Sequence, residues 1–387
     1  MRAGALAWML ASGDLNGDGK PDIVAANALG SGDSGLSLFL NRSDVGGTAR
    51  FDPAIGLAGD LLPQAVAIAD MDGDGRKDIV VAAGSAELRS GRVSVLRNTG
   101  EPEQSVPTFV PAASFETGAI PQQVKLADMN QDGTLDVVTS NLGAVVSRSV
   151  SIGLLKPDAP EQPLAFETPI QLDGGLFNEG LSVGDLNGDG KPDIASGNVG
   201  TADLRVWMST GPEHEVRFSQ PTSYYPGAAF PAGVLIVDMN DDGRPDIVCG
   251  CSADPFGLFG LPVMTNRTTP GAAVGDFAIA LNHAGGTGTQ GPAAADFDGD
   301  GKLDIAAANF YAFGFNTVSV VRNISGPDST GVHFSKAQDL PGGAGAQDVV
   351  ADDFNGDGIV DLATQNALGP GPGSYVSVYI NRTPQKR

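Results

Sequence analysis

One nine-residue pattern recurs seven times along the 387 residues, and its spacing limits what the chain can fold into. The copies are DLNGDGKPD from Asp14, DMDGDGRKD from Asp70, DMNQDGTLD from Asp128, DLNGDGKPD from Asp185, DMNDDGRPD from Asp238, DFDGDGKLD from Asp296 and DFNGDGIVD from Asp353. Successive first aspartates lie 56, 58, 57, 53, 58 and 57 residues apart. A unit of that length is too small to bury a core of its own and too long for one coil of a β-solenoid. It suits a supersecondary unit that completes its core against its neighbours.

The flanks repeat with the loop. A short apolar stretch precedes most copies, as in LPQAVAIAD, IPQQVKLAD and FPAGVLIVD, and a second follows, as in DIVVAA and DIAAAN. An asparagine falls five residues after the last loop aspartate in five copies (Asn27, Asn141, Asn198, Asn309, Asn366), with Cys251 in its place in a sixth. A third stretch alternates with period two, as in LSLFLNR and YVSVYINR, and a weaker fourth centres on a phenylalanine, as in RFDPAIGL. These read as four short strands per unit, bounded by Gly, Pro, Asn and Asp. With 54 glycines and 26 prolines and no convincing helical period, the sequence predicts an all-β fold. Four-stranded units repeated seven times predict one seven-bladed β-propeller over 1–387, with the loop between strands 1 and 2 of each blade. The blades fall at about 1–60, 61–118, 119–178, 179–229, 230–289, 290–344 and 345–387. The last reaches only strand 3, so it is expected to be three-stranded, with the ring closed by packing of blade 7 on blade 1.

The loop has the chemistry of a calcium site. Calcium takes six to eight oxygens at flexible geometry, and alternate loop positions can turn oxygens inward. Position 1 is Asp14, Asp70, Asp128, Asp185, Asp238, Asp296 or Asp353. Position 3 is Asn16, Asp72, Asn130, Asn187, Asn240, Asp298 or Asn355, and position 5 is Asp18, Asp74, Asp132, Asp189, Asp242, Asp300 or Asp357. Position 9 is Asp22, Asp78, Asp136, Asp193, Asp246, Asp304 or Asp361. Position 7 varies freely (Lys20, Arg76, Thr134, Lys191, Arg244, Lys302, Ile359), as expected where only a backbone carbonyl serves as ligand. Glycine at position 6 allows the sharp turn. Up to seven structural Ca²⁺ follow, which would carry the formal charge from -23 to about -9. A helical EF-hand is excluded, because position 12 of the first copy, Ala25, falls inside a strand.

Motif, flanks, period and copy number together resemble the FG-GAP/VCBS repeat family, over essentially the whole chain. Its integrin alpha-subunit relatives form seven-bladed calcium-binding propellers, which is what the resemblance implies here. The literal Phe-Gly-Gly-Ala-Pro signature of the integrin version is absent, and the match is closer to the bacterial and fungal branch.

Function is expected on the face opposite the ion loops, where the 2–3 and 4–1 connections carry aromatic insertions. The candidates are Tyr224 and Tyr225 before blade 5, Phe256 and Phe259 in blade 5, and Phe310, Tyr311 and Phe313 in blade 6. Aromatic rings above a rigid scaffold suit sugar stacking or protein contact. The reading is a calcium-stabilised binding or adhesion module for a glycan or protein; the alternative is a carbohydrate-active lyase or hydrolase with a pocket on that face. No nucleophile elbow or zinc motif supports catalysis, and His214, His283 and His333 lie in separate units. The net charge of -23 argues against nucleic acid and anionic lipid, and no apolar run approaches the roughly 20 residues that cross a bilayer. A monomer is expected. Cys249 and Cys251 share a strand face and read as free thiols. The sequons at Asn41, Asn266, Asn323 and Asn381 read as turn chemistry at the end of strand 3. A secreted, cell-surface or periplasmic setting fits weak calcium sites. The opening MRAGALAWMLASG has the outline of a very short signal peptide but fits strand 1 of blade 1, so secretion would need upstream sequence or another route.

Overall fold

The computed structural model describes residues 1–4, 6–28, 35–57, 62–85, 90–101, 105–143, 150–156, 164–251, 260–280, 288–310, 316–326, 331–341, 345–367 and 374–384. Among the described residues twenty-seven strands form seven antiparallel sheets, six of four strands and one of three, each a meander in chain order. The protein is an all-β seven-bladed propeller, with no helix among the described residues. The innermost strands are Ala7–Gly13, Leu62–Ala69, Pro121–Ala127, Asn178–Gly184, Pro231–Val237, Thr289–Ala295 and Val349–Asp352. Each second strand starts on the last loop aspartate, and these strands are buried almost throughout. Both of their faces pack on neighbouring blades, so their apolar runs are continuous rather than alternating.

The conserved spacing to Asn in the second strand has a local cause. Asn27, Asn141, Asn309 and Asn366 each donate to a hydroxyl in the middle of strand 3, on Ser37, Ser151, Ser319 and Ser377, at 2.9–3.0 Å. A buried amide needs such a partner. Cys249 and Cys251 are free and buried in the second strand of blade 5. Burial pushes the Cys249 thiol up to about 12, so it is inert at neutral pH.

Blades are joined by side chains that the sequence marks only as turn residues. Asn266 at the end of strand 3 donates to the Leu186 carbonyl in the preceding blade's loop at 2.7 Å and to Pro245 at 2.8 Å. Asn98, Asn323 and Asn381 reach the carbonyls of Leu15, Met239 and Phe297 in the same way at 2.8 Å. Asn41 reaches Phe354 at 3.0 Å across the ring seam. The four sequon asparagines are therefore inter-blade fasteners as well as turn formers.

The last blade is three-stranded, Val349–Asp352, Asp361–Asn366 and Tyr375–Tyr379. Closure uses more than the packing expected from the sequence. Ala3 N–H donates to Ser374 O at 2.9 Å, Ser374 N–H to Gly4 O at 3.1 Å and Val376 N–H to Met1 O at 2.8 Å. The first four residues thus lie on the outer edge of Tyr375–Tyr379, at one end of the place a fourth strand would take.

Candidate metal centre and axial mouth

Every loop begins right after an innermost strand and ends on the first residue of the second strand, so the turn is held at both ends by a sheet. In the first copy Asp14 Oδ1 accepts the amides of Gly17 at 2.7 Å and Asp18 at 3.1 Å, and Oδ2 accepts that of Gly19 at 2.8 Å. Asn16 Oδ1 accepts Asp18 N–H, and Asp18 Oδ1 accepts Lys20 N–H, both at 3.0 Å. The bond from position 6 to position 1 recurs in all seven copies at 2.7–2.8 Å. Each position-6 glycine has φ between 80° and 89°, a left-handed conformation that a side chain would strain. Position 4 is left-handed too, including Gln131 at φ 61° and Asp241 at φ 59°, a requirement the sequence reading did not notice.

Position 9 is tied from both sides. Asp22 Oδ2 accepts Leu15 N–H at 3.0 Å and Oδ1 accepts Asn41 N–H at 2.8 Å, and the same pair of bonds is made by Asp361 with Phe354 and Asn381. These aspartates are fully buried. Burial raises them to about 7 at Asp22, Asp136 and Asp193 and to about 6 at Asp78, Asp246, Asp304 and Asp361, against the opposing backbone bonds. Neighbouring loop carboxylates add to the rise.

The donor set fits a hard divalent cation. In two copies, Asp70, Asp72 and Asp78 and again Asp296, Asp298 and Asp304, each residue offers an oxygen within 4.8 Å of the others. Oxygens so spaced can share one ion at about 2.4 Å. These are the copies with aspartate at position 3; the other five place an asparagine amide there. Two position-7 side chains turn away, Lys20 Nζ to Ser43 O at 2.8 Å and Lys191 Nζ to Gly211 O at 2.6 Å, leaving the backbone carbonyl as the available donor, whereas Arg76, Thr134 and Arg244 turn back onto Asp74, Asp132 and Asp242 of their own loops. Arg97 on Asp72 at 2.7 Å and Arg244 on Asp242 at 2.7 Å offset part of the loop charge.

The opposite end of the ring has its own order. Near the start of six innermost strands the pairing register slips by one or two residues: Trp8, Gln64, Gln122, Glu179, Ala232 and, with Gly291, Gln290 are skipped. A bulge re-aims the extra side chain, and here five of these residues (all but Gln64), with Gln347 of blade 7, line the axial mouth. Trp8 Nε1 donates to Gln122 Oε1 at 3.2 Å, and its ring meets Phe310 edge to face at 6.0 Å. Burial raises Glu179 to about 7. Deeper along the axis, burial lowers Lys125 and raises Asp348 to about 6, each partly opposed by the other's charge.

Of the aromatic candidates, Phe310 is brought to this mouth. Tyr224 is not offered to solvent on a loop. It lies in a fourth strand, Thr222–Tyr224, its hydroxyl donating to Gly275 O at 2.8 Å and its ring packed edge to face on Phe277 at 5.2 Å. The apolar seam between blades 4 and 5 draws it inward. Tyr225 is exposed beside it. Phe256, Phe259, Tyr311 and Phe313 lie outside the described residues. Trp8 and the glutamines escaped the sequence reading; the one signal is the Gln that follows the strand-opening proline in LPQ and IPQ.

Against known families, FG-GAP-like repeats match residues 14–81, 185–249 and 296–364, just over half the chain. The chain belongs to the FG-GAP-like repeat family. Solved structures share the fold of this FG-GAP-like propeller at low identity. The BBS1N chain of a complex with ARL6DN is 13% identical with a TM-score of 0.55, covering 99% of this chain and 95% of that one. A 6-phosphogluconolactonase assigned in Bacteroides fragilis is 14% identical with a TM-score of 0.57, covering 91% and 89%. The rhamnogalacturonan lyase YesW is 14% identical with a TM-score of 0.50, covering 98% and 73%. These likenesses show the shared propeller fold, and among the described residues no helix is long and apolar enough to cross a membrane.

Proposed function

We propose that this FG-GAP-like propeller is a calcium-stabilised extracellular binding module that recognises a glycan or protein through the face opposite its ion loops. The observation that carries this reading is the bulge ring, which turns Trp8, Gln122, Glu179, Gln290 and Gln347 toward one axial mouth beside Phe310. Amides and a carboxylate around an aromatic edge match the hydroxyls and apolar faces of a sugar. The loops supply rigidity: carboxylates gathered on seven turns repel one another until a cation joins them. Calcium is favoured over magnesium because position 7 and the mixed carboxylate and amide donors suit a larger, flexible shell.

Two measurements test this. EDTA should lower the melting temperature of the full chain by several degrees, with recovery on adding calcium but not magnesium; an unchanged melting temperature would sink the structural-calcium reading. On a glycan array the calcium-loaded protein should retain specific glycans that Trp8→Ala loses. Product release from a retained glycan would instead favour the enzyme alternative.

A further inference from the structure

The throat of the axial mouth holds polar groups that the fold leaves without partners. Trp8, Gln122, Glu179, Gln290 and Gln347, from five blades, line a half-open cavity of about 20 Å³. One water needs roughly 10–15 Å³, so the cavity takes a water-sized group and no ring. Gln290 is only 7% exposed, yet its amide makes no hydrogen bond among the described residues. The half-buried Glu179 carboxylate and the Gln347 amide make none there either. Gln122 Oε1, by contrast, is already occupied by Trp8 Nε1–H at 3.2 Å. Buried polar groups require partners, and three without them around one small cavity mark a place that a ligand completes.

The unmatched atoms set its chemistry. Glu179 supplies one negative charge and the two amides supply neutral oxygens, so a singly charged cation leaves the throat neutral. Three acceptors match the three N–H donors of a primary ammonium, and the Trp8 indole in the same wall favours a cation. A guanidinium, with five donors in a flat fork, is too broad. Lys125 does not fill the place from within. It lies three residues beyond Gln122 along Pro121–Ala127, its charge acts on Asp348, and burial alone raises Glu179. Width then decides the source of the ammonium. On an amino sugar the nitrogen sits directly on a ring that so narrow a throat shuts out, whereas lysine carries it on a slim four-carbon stem. The formal charge of -23 draws a cationic partner toward the protein.

We propose that the axial throat receives a lysine side chain presented on the surface of a partner protein. Glu179, Gln290 and Gln347 hold the ammonium, and the methylene stem lies along Trp8. The inference rests on the mouth being the recognition face, and it narrows the choice of glycan or protein to a protein.

The probe is the peptide acetyl-Ala-Lys-Ala-amide, titrated into the calcium-loaded 387-residue protein and read at the indole N–H resonance of Trp8. Trp207, the other tryptophan, is buried within a blade and serves as the unmoved control. The Trp8 resonance should shift saturably with the lysine peptide and stay still when Nε-acetyl-lysine or norleucine replaces the lysine. Glu179→Gln should weaken the binding about tenfold or more. Should that variant unfold, the three peptides still decide the matter. No saturable shift, an equal shift by the acetylated peptide, or undiminished binding by folded Glu179→Gln overturns the proposal. Potassium chloride that alone reproduces the shift, where choline chloride does not, assigns the throat to an inorganic cation and overturns it as well. A glycan retained on the array while the lysine peptide leaves Trp8 unmoved overturns the lysine assignment alone, and the recognition face proposed above survives.

Discussion

At the scale of single residues, the loop is decided by backbone conformation as much as by charge. Gly19 sits at φ 80° with nothing within 4 Å of where a Cβ would stand, so a side chain there meets strain but no clash. Gly19→Ala should therefore lower stability by about 1 kcal/mol through the left-handed penalty alone. Denaturant unfolding in EDTA isolates that cost from any change in ion affinity, and a stability equal to that of the parent would show that the turn can relax. The glycine at position 6 was legible in the sequence because every copy keeps it. The equal demand at position 4 was hidden, since Gln131 and Asp241 satisfy it there at a conformational cost, and a motif read by side-chain identity does not show φ.

At the scale of strands and blades, the ends of strand 3 hold the ring together. Asn266 is fully buried, donates to two carbonyls on two blades, and accepts from Thr268 N–H at 2.9 Å. Asn266→Ala removes all three bonds and leaves buried carbonyls without a donor, so a loss of about 2–3 kcal/mol is expected. Its checks are the urea midpoint and faster hydrogen exchange on both sides of the blade 4–5 seam. A change confined to blade 5 would refute the fastener role. From the sequence this asparagine could be placed at a turn, because Asn-x-Thr after a strand is local chemistry. Its partner, Leu186, is eighty positions away, and local pattern carries no record of a bond across blades. Four strands per blade, by contrast, were readable from alternation and turn residues, which act within a few positions.

At the scale of the whole molecule, the repeat gives both the disc and its two unlike ends. One end is written seven times in the same aspartates. The other is built from Trp8, Gln122, Glu179, Gln290 and Gln347, each from a different blade, and a ring in which only glutamine recurs leaves a weak repeating signal. Glu179 makes that end sensitive to pH. Burial raises its carboxyl from 4.5 to about 7, so the folded state disfavours the ionised form relative to the unfolded chain. Its contribution to stability is complete below about pH 4.5 and is lost as pH rises through about 7. Glu179 is only half-buried, so solvent screens part of the effect. Glu179→Gln should therefore match the parent at pH 4 and exceed it by about 2 kcal/mol at pH 8. Melting curves in saturating calcium hold the ion loops constant across that range. Equal pH slopes for parent and variant would mean that Glu179 is solvated at the mouth, and the case for a desolvated polar ring that recognises ligands would lose its physical basis.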